Sequence, residues 1–259
     1  MVSRLLILFL LALSVPILAK PINITTGEWP PFVDENAPEQ GCVAKLVRDA
    51  LRLEGYAVNF HFMPWERAFV EGSKPNYVGT AYWFYSKARA KTYLYSKHAI
   101  TYEVNLFYYN KNKPITIKGF DELSNEVLIL SKGLTYPSEL LNIIEKRNIP
   151  LIQTTYTTQN LALLLAGRGD ITVLTAHTAD TYLKSLPDNL RNQVVAHTTP
   201  AFTMAGYMLF NRANPDVAVA FDVGMAKLLD DENYLTEYQT ICPPLPASIP
   251  PRFEGRALQ

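Results

Sequence analysis

Two stretches of this 259-residue chain, residues 104–109 (VNLFYY) and 194–208 (VVAHTTPAFTMAGYM), are apolar and extended in character, and they bracket a middle segment in which strand-like and helix-like patterns alternate. Apolar runs of this kind form strands buried on both faces. A chain that leaves one packed unit through the first run and returns through the second is divided into two lobes. The runs therefore predict two α/β lobes joined by two crossing strands.

The flanking segments fit that division. The segment PINITTG alternates apolar and polar residues. The next, CVAKLVRDALRLEGY, places Val43, Leu46, Val47, Ala50 and Leu51 on one helical face and stops at Gly55. AVNFHF then turns Val58, Phe60 and Phe62 inward, WERAFVEG is helical, and YVGTAYWF is a strand rich in aromatic residues. SKARAKTYLYSK is a polar, helical connector. In the middle segment an acidic helix starts at Asp121, VLILSKG is a buried strand, and TYPSELLNIIEKRNIP is a helix with Pro137 in its first turn. TTQNLALLLAGRGDITVLTA gives a helix, a glycine-bounded turn and a buried strand. After the second run, a helix from Pro215 carries Val217, Phe221, Met225 and Leu228 on one face, and the tail ICPPLPASIPPRFEGRALQ is a proline-rich strap.

The first 19 residues carry Arg4, an apolar run over residues 5–13 and small or branched residues before Ala19, which is the pattern of a cleaved secretory signal peptide. The run is short of the ~20 apolar residues that a membrane span needs. A soluble, exported, periplasmic protein is expected, and the lack of a cysteine at the cleavage site argues against a lipid anchor. About 240 residues remain, enough for two cores. With 24 basic and 24 acidic residues there is no basic field for nucleic acid, which leaves a small molecule or a protein as partner. Cys42 and Cys242 are either a disulfide in an oxidising compartment or two buried free thiols.

Six short motifs occur in order: Gly27-Glu28-Trp29-Pro30-Pro31-Phe32, Met63-Pro64-Trp65-Glu66-Arg67-Ala68, Ser86-Lys87-Ala88-Arg89, Lys132-Gly133-Leu134-Thr135-Tyr136, Gly167-Arg168-Gly169-Asp170 and Asp231-Glu232-Asn233-Tyr234. In this order the chain resembles the type II periplasmic binding proteins, in particular the extracellular solute-binding family 3 that serves amino-acid importers. The resemblance covers nearly all of the chain after the signal peptide. It implies a periplasmic-binding-protein-like II fold, each lobe a mixed sheet flanked by helices, closing on a ligand by hinge motion. The first lobe would comprise residues 20–108 and 203–259, and the second residues 109–202. It also implies a monomer that hands a small solute to a membrane permease or reports it to a receptor, with no cofactor.

By the same resemblance Arg89 matches the arginine that clamps a ligand carboxylate, a task suited to its planar fork. Thr135 and Tyr136 precede a helix whose free amides can hold the same anion, or serve as an ordinary cap. Trp29, Trp65, Tyr82 and Phe84 are expected as aromatic walls of the cleft, with Trp83 turned into the core by strand alternation. Two departures stand out. Thr175 occupies the position where relatives carry the acid that pairs with a ligand ammonium, and Tyr82 and Phe84 replace small serines. Glu28 is the candidate to supply the missing charge.

His61, His98, His177 and His197 show no metal spacing, and no nucleophile signature or phosphate loop is present. A binding protein without catalysis is expected. The rival readings are an exported dehydratase-like enzyme, with Glu28 or Glu66 as acid or base, and a ligand-sensing subunit.

Overall fold

The computed structural model describes residues 19–132 and 134–242 and the backbone of residues 255–257. The expected signal peptide up to residue 18, Gly133 and most of the proline-rich tail lie outside the described residues. The chain begins with β1 (Lys20–Thr26), a 3-10 turn (Pro38–Gln40), α1 (Cys42–Leu53), β2 (Tyr56–Phe62), α2 (Trp65–Glu71), β3 (Gly79–Phe84), α3 (Lys87–Thr92) and β4 (Tyr93–Asn110). A 3-10 turn (Phe120–Glu122), β5 (Leu128–Ser131), β6 (Thr135–Pro137), α4 (Ser138–Arg147), β7 (Leu151–Thr154), α5 (Thr157–Leu165) and β8 (Ile171–Thr175) follow. Then come α6 (Ala176–Lys184), α7 (Asp188–Arg191), β9 (Val194–Asn211), α8 (Pro215–Leu229), α9 (Glu232–Ile241) and β10 (Gly255–Ala257).

The two extended runs are parts of β4 and β9, each 18 residues long, which pair antiparallel along most of their length. They stand at the centre of an eight-stranded sheet of order β2-β1-β3-β9-β4-β8-β5-β7. The strands outside this pair run parallel at each end: β2, β1 and β3 on one side, and β8, β5 and β7 on the other. The polar stretch after α3, expected as helical connector, becomes strand from Tyr93 onward. Its pairing with β9, Tyr93 to Asn211 and Tyr95 to Leu209, outweighs its polar composition.

Two further expectations change in detail. The helix expected at Asp121 is only a three-residue turn, held by Arg147, whose guanidinium donates to the carbonyls of Asp121 and Leu123 at 2.6 and 3.0 Å. Pro137 does not sit in the first turn of α4 but caps it, because Thr135–Pro137 is extended and pairs antiparallel with β10.

The core is divided along the sheet. Ile22, Ile24, Leu46, Leu51, Phe221 and Met225 pack in one cluster, and Leu123, Leu128, Leu140, Ile144 and Val173 in another. The central strands serve both, since β4 gives Ile100 to the first and Phe107 to the second, while β9 gives Met208 and Phe210 to the first and Phe202 and Met204 to the second. All five apolar residues foreseen on the inner face of α1 are buried. Cys42 and Cys242 form a disulfide, with Cα atoms 5.7 Å apart, tying the start of α1 to the end of α9.

Candidate functional site

The site is organised around an irregularity in β3. Strand β3 pairs with β9 in regular register to Ala81 and Met208, but the next pair is Trp83 with Tyr207, so Tyr82 is an extra residue in a β-bulge. Its φ is +72°, a conformation that costs a non-glycine residue on the order of 1–3 kcal/mol. The bulge turns the Tyr82 ring across β9 at Gly206, where a Cβ would stand 2.9 Å from the ring and 2.8 Å from the Thr101 methyl. Passing over the one residue without a side chain, the ring reaches β4, and its hydroxyl donates a hydrogen bond to the Glu103 carboxylate.

Glu103 is buried, at 6% exposure, in the middle of the sheet. Burial pushes its carboxyl up from 4.5 to about 7, and the hydrogen bond from Tyr82 pulls against that rise. The Tyr82 hydroxyl is in turn driven well above its ordinary value, first by burial and then by the neighbouring Glu103 charge.

Aromatic rings extend from this pair toward the surface. Tyr82 lies 6.2 Å from Trp29, 6.3 Å from Trp65 and 6.0 Å from Phe84, measured between ring centres. Trp65 meets Trp83 edge-on at 5.3 Å. Trp65 fits because residue 27 is glycine; a Cβ there would lie 2.3 Å from the indole. Its indole N–H donates to the Glu28 carbonyl at 3.3 Å, linking the loop after β1 to the start of α2.

Arg89 follows the Ser86 cap of α3, whose hydroxyl oxygen accepts from the Ala88 amide at 3.2 Å. Its guanidinium donates to the Phe84 carbonyl at 2.9 Å and lies 5.0 Å from the centre of the Trp83 ring. Burial lowers its proton affinity, while the adjacent Tyr95 hydroxyl raises it. A group of this kind stays charged.

Two adjoining cavities result. The outer one, about 820 Å³, is bounded by Trp65, Glu66, Phe69, Tyr82, Trp83 and Arg89. The inner one, about 180 Å³, is bounded by Glu103, Asn105, Tyr136, Thr175, Thr178 and Met204. Trp29, Phe84, Leu134 and Thr135 belong to both. Walls therefore come from both halves of the molecule. The outer volume lies within the ordinary range for small-molecule sites.

Most residues singled out in the sequence meet here: Trp29, Trp65, Tyr82, Phe84, Arg89, Thr135, Tyr136 and Thr175 all line one or both cavities. Their polar groups are partly engaged. Tyr136 turns its hydroxyl to accept from the Ser131 amide at 3.1 Å, and Thr175 caps α6 by accepting from the Thr178 amide at 3.1 Å. Glu28 stands elsewhere: it is exposed, its carboxylate accepts from the Glu35 amide at 3.3 Å, and it lines neither cavity. Trp83 is half-buried along the outer cavity and not in the core, because the bulge at Tyr82 resets the alternation on which that expectation rested. Sequence reasoning missed Glu103 and Asn105. The one available signal was an acid immediately before the apolar run at residues 104–109.

No protein-family model matches the sequence, and no curated protein gives a significant match. Solved structures do match. The probable amino-acid ABC transporter extracellular-binding protein of Bacillus subtilis superposes with a TM-score of 0.68 at 20% identity, covering 85% of this chain and 96% of that one. The chain has the type II periplasmic-binding-protein-like fold. A histidine kinase sensor domain with similarity to periplasmic binding proteins matches with a TM-score of 0.58 at 18% identity, over 85% of this chain and 93% of its own. An ancestral amino-acid-binding protein, a precursor of cyclohexadienyl dehydratase, matches at 0.58 and 15% identity over 85% and 94%. Among the described residues no helix is long and apolar enough to cross a membrane, and no group of three or more His, Cys, Asp or Glu is placed to hold a metal ion.

Proposed function

We propose that this chain is an exported, periplasmic solute-binding protein that captures an amino acid or related carboxylate between two lobes, without transforming it. In this reading residues 20–108 and 203–259 form one lobe and residues 109–202 the other. The observation that carries it is the pair of cavities walled from both cores, by Trp29 and Trp65 packed on the first and by Phe84 and Leu134 packed on the second. Arg89 receives the solute carboxylate from one lobe, the Thr135 side from the other, and the aromatic rings exclude water from the bound solute. The role of the Bacillus subtilis neighbour supports delivery to an ATP-binding-cassette permease.

The dehydratase-like reading has the ancestral neighbour and one wall residue, Glu66, in its favour. The kinase sensor domain keeps a sensing role in play, and a receptor would then replace the permease as partner. A thermal-shift screen of amino acids, amines and organic acids tests the capture reading. A solute present at a hundred times its dissociation constant stabilises by about 2.7 kcal/mol. The expected result is a stabilising solute, recovered unchanged, whose effect is lost in Arg89→Ala and in Trp29→Ala. Chemical conversion of that solute, or a shift that both variants retain, contradicts the proposal.

A further inference from the structure

We infer that Glu103 is the cation-receiving group of the cleft, so that the captured solute carries a protonated amine or alkylated ammonium seated against the Glu103 carboxylate and the rings of Trp29 and Phe84. This rests on the solute-capture reading and narrows its ligand class.

A carboxylate buried in the middle of a sheet is expensive unless it is paired or neutral. Among the described residues no cation forms an ion pair with Glu103, and its hydrogen bond comes from the Tyr82 hydroxyl. An ionised carboxylate has about four acceptor sites, so most of its capacity is unused. The carboxyl group also borders the inner cavity, which gives an incoming group access to it.

The surroundings suit a cation. Trp29 and Phe84 border the same space, and ring faces attract ammonium and guanidinium groups. The other polar groups on the inner cavity, Asn105, Thr135, Tyr136, Thr157, Thr175 and Thr178, are neutral. Positive charge stands only on the outer cavity, at Arg89, among the residues that line the two. Glu103 is thus the charged residue of the inner cavity, while Arg89 and Glu66 stand together on the outer one. A zwitterion enters cation first, and the acid that Thr175 replaces is supplied from the neighbouring strand by Glu103, two residues before Asn105, the pairing partner of Thr175.

Binding then carries a proton linkage. Empty, the Glu103 carboxyl titrates at about 7, and a bound cation favours its ionised form. Capture below that pH therefore releases a proton. The titratable groups around Glu103 are Tyr82 from β3 and Tyr136 from β6, the latter pushed to about 12 by burial, with Arg89 from α3 and Glu66 from α2 in the adjoining cavity. Tyr238 of α9 acts on Tyr82 from behind. His177, exposed at the start of α6, packs against Phe32 at 5.6 Å between ring centres and lines neither cavity, which makes it the control position.

The test is calorimetry between pH 5.5 and 8.5 with tyramine, putrescine, L-phenylalanine, L-arginine and glycine betaine, set against 3-phenylpropanoate and succinate, which carry no cation. Binding is expected only from the first set, with affinity rising about tenfold per pH unit up to about 7 and level above 8. Glu103→Gln loses at least about tenfold in affinity and the pH slope, while His177→Gln keeps both. Should Glu103→Gln fail to fold, titration of the unaltered protein at pH 6 in phosphate and in MES must report release of roughly one proton per cation bound. Binding by the amine-free carboxylates alone, pH-independent binding of an amine, or full affinity in Glu103→Gln overturns this inference and leaves solute capture standing. Silence from both sets overturns solute capture itself, and this inference with it.

Discussion

The hydroxyl of Tyr82 donates to the carboxylate of Glu103 across the intervening strand, above Gly206. This contact joins a strained bulge to a buried acid at the floor of the cleft. Tyr82→Phe removes the donor and leaves the acid without it. At pH 8, where Glu103 is ionised, the lost bond is one to a charged group and costs about 1.5–3 kcal/mol; at pH 5, where it is protonated, the cost falls to about 1 kcal/mol. Urea unfolding at the two pH values reads the difference, and equal losses at both would contradict the assignment.

Glu103 also predicts a pH profile for the ligand-free protein. Its carboxyl titrates at about 7 in the folded chain against 4.5 unfolded. Between these values the folded state binds the additional proton, so this contribution to stability is complete below pH 4.5 and is lost as pH rises through 7. The size of the loss is about 3 kcal/mol. Glu103→Gln should remove this decline, and a variant profile that still falls over the same window would assign the decline to other groups.

Gly27 exists for the sake of Trp65. A methyl group at residue 27 would stand 2.3 Å from the indole, so Gly27→Ala must move the ring, at a cost typical of overpacking, about 1–3 kcal/mol. Trp65 then leaves Tyr82 and Trp83 and enters water. A red shift of tryptophan emission with weakened solute binding is expected. Unchanged emission would mean that the ring was not held there.

The disulfide spans 200 residues in sequence. Loop entropy gives such a link about 5 kcal/mol of stabilisation. Replacing both Cys42 and Cys242 by alanine should lower the unfolding free energy by up to that amount, with solute affinity little altered because neither residue lines a cavity.

Much of this architecture is written locally in the chain. The apolar residues of residues 104–109 and 194–208, and the helical spacing of Val43, Leu46, Val47, Ala50 and Leu51, each point to one structure without help from elsewhere. The aromatic walls were legible too, because Trp29 and Trp65 sit in loop-entry motifs. What escaped depends on distant neighbours. Nothing in YVGTAYWF announces that Tyr82 will adopt a positive φ, since that conformation is intrinsically disfavoured and is sustained by the Glu103 bond and the space at Gly206. Once the bulge is missed, Trp83 is assigned to the wrong side. Glu103 itself is a lone acid in a strand, and only the sheet order brings it beneath the cleft. Glu28, adjacent in sequence to Trp29, drew attention for its charge, yet its loop turns it toward Glu35.

Solute capture between two cores is tested most directly by where a solute sits. A crystal structure of the protein with the most stabilising compound from the screen should show that compound in contact with Trp29 or Trp65 of the first core and with Phe84 or Leu134 of the second. Density at any other surface, or a compound touching one half of the molecule alone, would contradict it.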